Sequence, residues 1–202
     1  MSFSKRQMQI IESAIMIIAE KGVQSLTTNN LARKLSITEP ALYRHFANKR
    51  SIMESIITYF ELRMQVAMSK LEDDKDSAGT IRAFFLAHLS IMQQNPHYSM
   101  VFFSEANFRF DDLLTSRISN MMTRSLNALQ KTIQSGQQSN ELVSDISALS
   151  MSRLIIGSLR LLITQWSISG MIFDLETEGE KLCADILSLI VKPHNKTNVS
   201  ES

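Results

Sequence analysis

The 202-residue chain has little of what punctuates or cross-links a fold: one cysteine, three prolines, six glycines and one tryptophan. With Cys183 alone, no disulfide can form within the chain, the pattern expected of a reducing compartment. So few glycines and prolines leave little material for the many tight turns of a β-sandwich or barrel. Apolar runs long enough to span a bilayer, about 18 residues or more, are also missing. The longest uncharged stretch, Ala83 to Ser104, is interrupted by His88, Gln93, Gln94, Asn95, Pro96 and His97. Lys5 and Arg6 precede an apolar segment, but Glu12, Glu20 and Lys21 break it and no small-residue cleavage site follows, which argues against a signal peptide. The expectation is a cytoplasmic protein without a membrane partner.

What the chain does have is a charge asymmetry hidden by a formal net charge of +1. Residues 1–50 carry eight Lys or Arg against three acids, a net of +5, and the remainder carries 13 against 17, a net of −4. A basic head on a mildly acidic body points to a polyanion met by the head alone.

Apolar residues recur at spacings of three and four, so the predicted fold class is all-α. A first helix over about 4–21 carries Ile11, Ala14, Ile15 and Ile18 on one side and ends at Gly22. Thr27 or Thr28 can cap a short second helix whose inner side is Leu31, Ala32 and Leu35. Thr38 can cap a third, with Glu39 and Pro40 in its first turn, ending near Phe46. Asn48 can cap a fourth over about 49–71, and the EDDKD segment with Ser77–Gly79 reads as a solvated joint. Later helices are expected over 80–94, 97–108, 111–135, 145–169 and 176–191, with breaks at 136–140 and 170–174.

Enzyme chemistry finds no constellation in this sequence. His88 and His97 fall on different helices without a ligand-spacing motif, Cys183 has no activating motif, and the acidic joint has no calcium-loop pattern. The expectation is a non-enzymatic protein with no metal and no cofactor.

Two short helices behind a longer one form a helix-turn-helix unit. In the third helix Leu42 and Phe46 face inward with Ile37, which turns Pro40, Ala41, Tyr43, Arg44 and His45 largely outward. Eight helical residues span about 12 Å, matching the major groove width of about 12 Å. With Thr27-Thr28, Leu31-Ala32, Ile37-Thr38, Ala41-Leu42-Tyr43, His45-Phe46 and Lys49 in one stretch, residues 4–60 resemble the N-terminal DNA-binding domain of the TetR family of bacterial transcriptional regulators.

The resemblance implies DNA-binding roles for Thr28, Thr38, Glu39, Pro40, Ala41, Tyr43, Arg44, His45 and Lys49. Thr28, Tyr43 and Lys49 are similar to phosphate contacts, and the others occupy the part of the recognition helix that faces bases or nearby backbone. A lysine at a helix N-terminus adds charge to amides already aimed at an anion. Arg44 can pair with guanine or grip a phosphate, and His45 can lie near DNA or cap its helix. The chain departs from the family pattern at Ser36, where glycine is usual in the turn, and at Arg50 and Ser51, which replace acids.

The resemblance further implies a homodimer that binds a palindromic double-stranded DNA operator, most often as a repressor, with the body holding a small effector. The expected organisation is a DNA-binding head over 1–48 joined by the start of the fourth helix to about residue 60, a regulatory and dimerisation body over 49–192, and a disordered polar tail over 193–202. Leu154, Ile155, Leu159, Leu161, Leu162, Trp166, Leu182, Ile186, Leu189 and Ile190 offer more apolar surface than one helix stripe needs, which suits a four-helix dimer interface. Candidate effector-pocket residues are Phe84, Phe85, His88, Met92, Met100, Phe103, Phe108, Met121, Met122 and Gln165, set against the alternative that such stripes are packed core. The effector would be hydrophobic, aromatic or acyl. A different reading is a constitutive DNA-bound adaptor or nucleoid-associated protein with a protein partner, since the LYRHF segment and acidic joint also resemble SlmA-like family members.

Overall fold

Side-chain caps set the helix boundaries in the computed structural model, which describes residues 3–69, 76–102 and 112–193. Within these residues the helices are α1 (Lys5–Lys21), α2 (Thr28–Lys34), α3 (Glu39–Tyr43), α4 (Lys49–Ser69), α5 (Ser77–Gln94), α6 (His97–Phe102), α7 (Asp112–Gln138), α8 (Ala148–Ile168) and α9 (Leu175–Ile190), with a 3-10 turn at Val23–Ser25. Ser4 and Gln7 form a capping box on α1, and Thr27, Thr38, Asp76, Ser147 and Asp174 cap α2, α3, α5, α8 and α9. On α4, Asn48 Oδ1 accepts from the Ser51 amide at 2.8 Å, and the Asn48 amide donates to Ser51 Oγ at 3.2 Å. Ser51, where the family usually has an acid, thus completes a reciprocal cap with a hydroxyl.

Three boundaries differ from the sequence reading. Ser77–Gly79, expected in a solvated joint, forms the first turn of α5, because Asp76 accepts from the Gly79 amide and Glu141 Oε2 accepts from the Ser77 amide. Residues 72–75 of the acidic joint lie outside the described residues, as do 70–71 of the expected fourth helix, 103–108 of the expected sixth helix and most of the tail. Second, α7 continues through Gly136, where a Cβ would fall 2.7 Å from Leu142 and Ser77, so glycine serves there as a close-packing residue rather than a break. Third, α3 is shorter than expected, ending at Tyr43, with two turn residues and a last bond from the Phe46 amide to the Leu42 carbonyl at 3.2 Å.

Ser36 accepts the backbone that glycine usually supplies. Its φ is +53°, and the Ile37 amide donates to the Ala32 carbonyl while the Ser36 amide donates to that of Arg33, a Schellman ending of α2. A left-handed residue with a Cβ costs roughly 1–2 kcal/mol, partly offset by glycine's freedom when unfolded. Ser36→Gly is therefore expected to stabilise the protein by about 0.5–1 kcal/mol in urea denaturation; a lower midpoint would contradict this reading of the turn.

The core runs unbroken from the first helix to the last. Ile10, Ile11, Ala14, Ile15, Ile17 and Ile18 of α1 join Leu31, Leu42 and Phe46 and then Ile52, Met53, Ile56 and Ile57 of α4. Each such side chain, fully buried, contributes about 1.5–3 kcal/mol before entropy is subtracted. Tyr59 of α4 donates to Glu12 at 3.0 Å and α1 also packs on α6, so α1 is held by both helices. Helices α5 and α9 approach closely, since a Cβ on Gly179 would meet Leu89 Cδ1 at 2.1 Å.

Candidate functional site

The predicted DNA-facing residues lie on α2, on α3 with its N-cap and following turn, and at the start of α4, with distinct internal ties. Thr38, Pro40, Tyr43 and Arg44 are exposed; Thr28, Glu39, Ala41, His45 and Lys49 are half-buried. Tyr43 does not bury its ring against α1, being 49% exposed. Thr27 rather than Thr28 caps α2, which releases the Thr28 hydroxyl to donate to Glu39 Oε2. Lys49 Nζ reaches the Val23 carbonyl at 3.3 Å, so this lysine ties α4 to the turn before α2. Gln7 Nε2 donates to the His45 carbonyl at 3.5 Å, anchoring the end of the recognition segment to α1.

Behind α4 lies a cavity of about 1380 Å³ walled by α4, α5, α6, α7 and α8. Its lining is mostly apolar, including Phe60, Phe84, Phe102, Ile118 and Ile156, with the cationic groups Arg124, Arg153 and Arg160. Glu61 is paired with Arg124 across the α4–α7 seam, where Arg117 also donates to Thr58 Oγ1 at 2.9 Å. Phe60 stacks on Phe102 at a centroid distance of 4.2 Å and meets Tyr98 edge-on at 5.9 Å. One wall of the cavity is therefore the same helix that begins at Lys49.

Of the predicted pocket residues, Phe84, His88, Met121 and Met122 line this cavity. Phe85 and Met92 do not: both are buried core residues of α5. Met100 does not line it either and is exposed, and Gln165 falls with Leu161 and Ile168 on the outer side of α8 because Ile163 and Trp166 take the inner one. Phe103 and Phe108 lie outside the described residues. The sequence reading passed over Arg153 and Arg160, although two arginines seven apart in an otherwise apolar helix lie on one side of it. Phe60 gave no signal distinguishing it from core.

His88 donates from Nδ1 to the Phe84 carbonyl at 2.8 Å, and burial holds its imidazole down at about 4, that bond acting in the opposite direction. The unfolded chain therefore takes up this proton first as pH falls, and stability is lost between about pH 6.5 and 4. Wild type is expected to lose roughly 2 kcal/mol more than His88→Phe between pH 7 and 4.5 in paired denaturation curves; equal losses would contradict a buried neutral imidazole. Burial likewise pushes the Cys183 thiol up to about 11, leaving it a weak nucleophile.

The expected dimer residues divide into three sets, and one of them, Leu162, Leu182 and Ile186, is partly buried against the core. Ile155, Leu159, Trp166 and Ile190 are buried within the chain, whereas Leu154, Leu161 and Leu189 are exposed. Exposed Ile168 continues the Leu154–Leu161 stripe at seven-residue spacing, and Gly157 beside it has no atom within 4 Å of a built Cβ. Among the described residues no helix is long and apolar enough to cross a membrane, and no group of three or more His, Cys, Asp or Glu could hold a metal.

Residues 10–56 match the family model for bacterial regulatory proteins of the tetR family, and residues 58–193 match that for the YsiA-like protein C-terminal region. Nucleoid occlusion factor SlmA of Citrobacter koseri is 31% identical over 121 residues, 59% of this chain and 61% of the relative. The chain thus spans about 61% of the length of that curated relative. The ketosteroid transcriptional regulator KstR2 of Mycobacterium tuberculosis superposes with a TM-score of 0.79 at 17% identity, covering 95% of this chain and 98% of that one. The transcriptional regulator FadR of Bacillus subtilis, solved with stearoyl-CoA, gives a TM-score of 0.77 at 20% identity, covering 90% and 97%. At these identities the two structures share the fold.

Proposed function

Since the chain belongs to the TetR family of bacterial DNA-binding regulators, we propose that it is a homodimeric repressor released from its operator by an amphipathic anionic effector. The observation that carries this reading is the cavity of about 1380 Å³ directly against α4. That volume exceeds the roughly 300–1,000 Å³ of ordinary ligand pockets and suits a long apolar ligand. Glu61 is neutralised by Arg124, and Arg153 on the same lining suits an anionic head. Stearoyl-CoA, bound by the Bacillus subtilis FadR structure, has this chemistry and is the natural first probe.

The proposed signal passes through α4. A ligand that separates Phe60 from Phe102, or draws Arg124 from Glu61, shifts the helix that begins at Lys49. In a dimer this changes the separation of the two recognition segments, which must meet half-sites about 34–36 Å apart or a multiple.

In the proposed DNA complex Tyr43 and Lys49 hold phosphates, Thr28 does so by giving up Glu39, and Thr38, Glu39, Pro40, Ala41, Arg44 and His45 lie toward the groove. Lys49→Ala is expected to weaken every duplex and lower the salt slope by about one unit, whereas Arg44→Ala costs about 1–3 kcal/mol at one operator position if Arg44 reads a base. Uniform loss for Arg44→Ala across operator variants would reassign it to the backbone. The whole reading is tested by footprinting DNA upstream of the protein's own gene: two protected half-sites support it, and no preference over random duplex at moderate salt contradicts it.

The match to SlmA favours one other reading, a DNA-bound adaptor with a protein partner and no effector. Many dispersed genomic sites and an operator affinity untouched by stearoyl-CoA would favour it.

A further inference from the structure

Although the cavity's charged groups sit on α4, α7 and α8, its one histidine is on α5 and behaves as though none of them were near. Only burial and the Phe84 carbonyl perturb His88, and Glu61, Arg124, Arg153 and Arg160 do not. The lining thus carries arginines on α7 and α8 and an imidazole on α5.

The protonation pattern of that imidazole is fixed by its neighbour. Nδ1 lies 2.8 Å from the Phe84 carbonyl oxygen, which can only accept, so Nδ1 carries the hydrogen. In a neutral ring Nε2 is then a bare acceptor. The Phe84 ring packs on the imidazole at 4.5 Å and holds its plane. Among the described residues nothing donates to Nε2, although His88 lines the cavity.

We infer that His88 determines effector specificity, its Nε2 accepting a hydrogen bond from a hydroxyl carried on the apolar part of the effector. This rests on the reading of the cavity as the effector site and adds what the ligand must carry besides an anionic head. A ketone or ether oxygen would meet Nε2 lone pair to lone pair. An amide would supply a donor but bring a carbonyl that also needs one, whereas a hydroxyl satisfies Nε2 with the least additional polarity.

The test uses the full-length protein and two neutral probes that differ in one donor, 1-dodecanol and methyl dodecyl ether. Wild type is expected to bind the alcohol about three- to tenfold more tightly, the range of one net hydrogen bond. The nitrogen-15 resonance of His88 Nε2 should move upfield on adding the alcohol and not the ether, a readout that requires no variant. His88→Phe should bind both probes equally. Equal affinities in wild type, a preference surviving in His88→Phe, no binding of either probe, or a protonated Nε2 in the free protein at neutral pH would each overturn the inference. Stearoyl-CoA titrated in parallel separates the two readings: its failure to bind, with the alcohol preference intact, refutes the anionic effector and leaves the role of His88 standing.

Discussion

Leu161→Glu is expected to convert the dimer to a monomer and to lower operator affinity by roughly 10²- to 10⁴-fold, the gain that linking two binding modules ordinarily supplies. A monomer does not explain the exposure of the outer side of α8. Leu154, Leu161 and Ile168 are 65%, 59% and 80% exposed, lie seven residues apart along α8, and are joined by Leu189 of α9 at 77%. Seven-residue spacing keeps side chains on one side of a helix. In a two-fold interface each substitution occurs twice, so two unpaired carboxylates would enter an apolar seam. Sedimentation and fluorescence anisotropy on one sample check both parts. A variant that stays dimeric with unchanged operator affinity would remove α8 from the interface.

The second large effect is expected at Phe60. Its ring is 5% exposed, stacked on Phe102 and edge-on to Tyr98, and it forms part of both the core and the cavity wall. Phe60→Ala should cost about 3 kcal/mol, the low end for a buried phenylalanine, because one side of the space it leaves already opens into the cavity. The more informative variant is Phe60→Leu, which keeps most of the volume at a cost below about 1.5 kcal/mol but loses the ring stack. It should bind operator like wild type while responding less to effector. Full response in Phe60→Leu would mean that the α4–α6 stack does not carry the signal.

The helices and the outward side of α3 could be read in the sequence because their determinants are local. Ser4, Thr38, Asn48 and Asp174 sit where helices begin, and the inward pair Leu42 and Phe46 leaves the other side of α3 to the outside. The cavity was less legible because its wall depends on which side of each helix the neighbours cover. Phe84 and Phe85 are adjacent and chemically identical, yet one lines the cavity and the other is core. Met92 and Gln165 were misassigned for the same reason. The Schellman ending at Ser36 and the close approach at Gly136 also depend on tertiary partners, since neither residue reveals its backbone or contacts by type alone.

Operator affinity measured by fluorescence anisotropy with and without saturating stearoyl-CoA, at fixed salt, tests the central claim that the cavity controls the DNA-binding head. An allosteric coupling of ordinary size predicts a loss of about 5- to 150-fold. Stearoyl-CoA bound by calorimetry with operator affinity unchanged would contradict it.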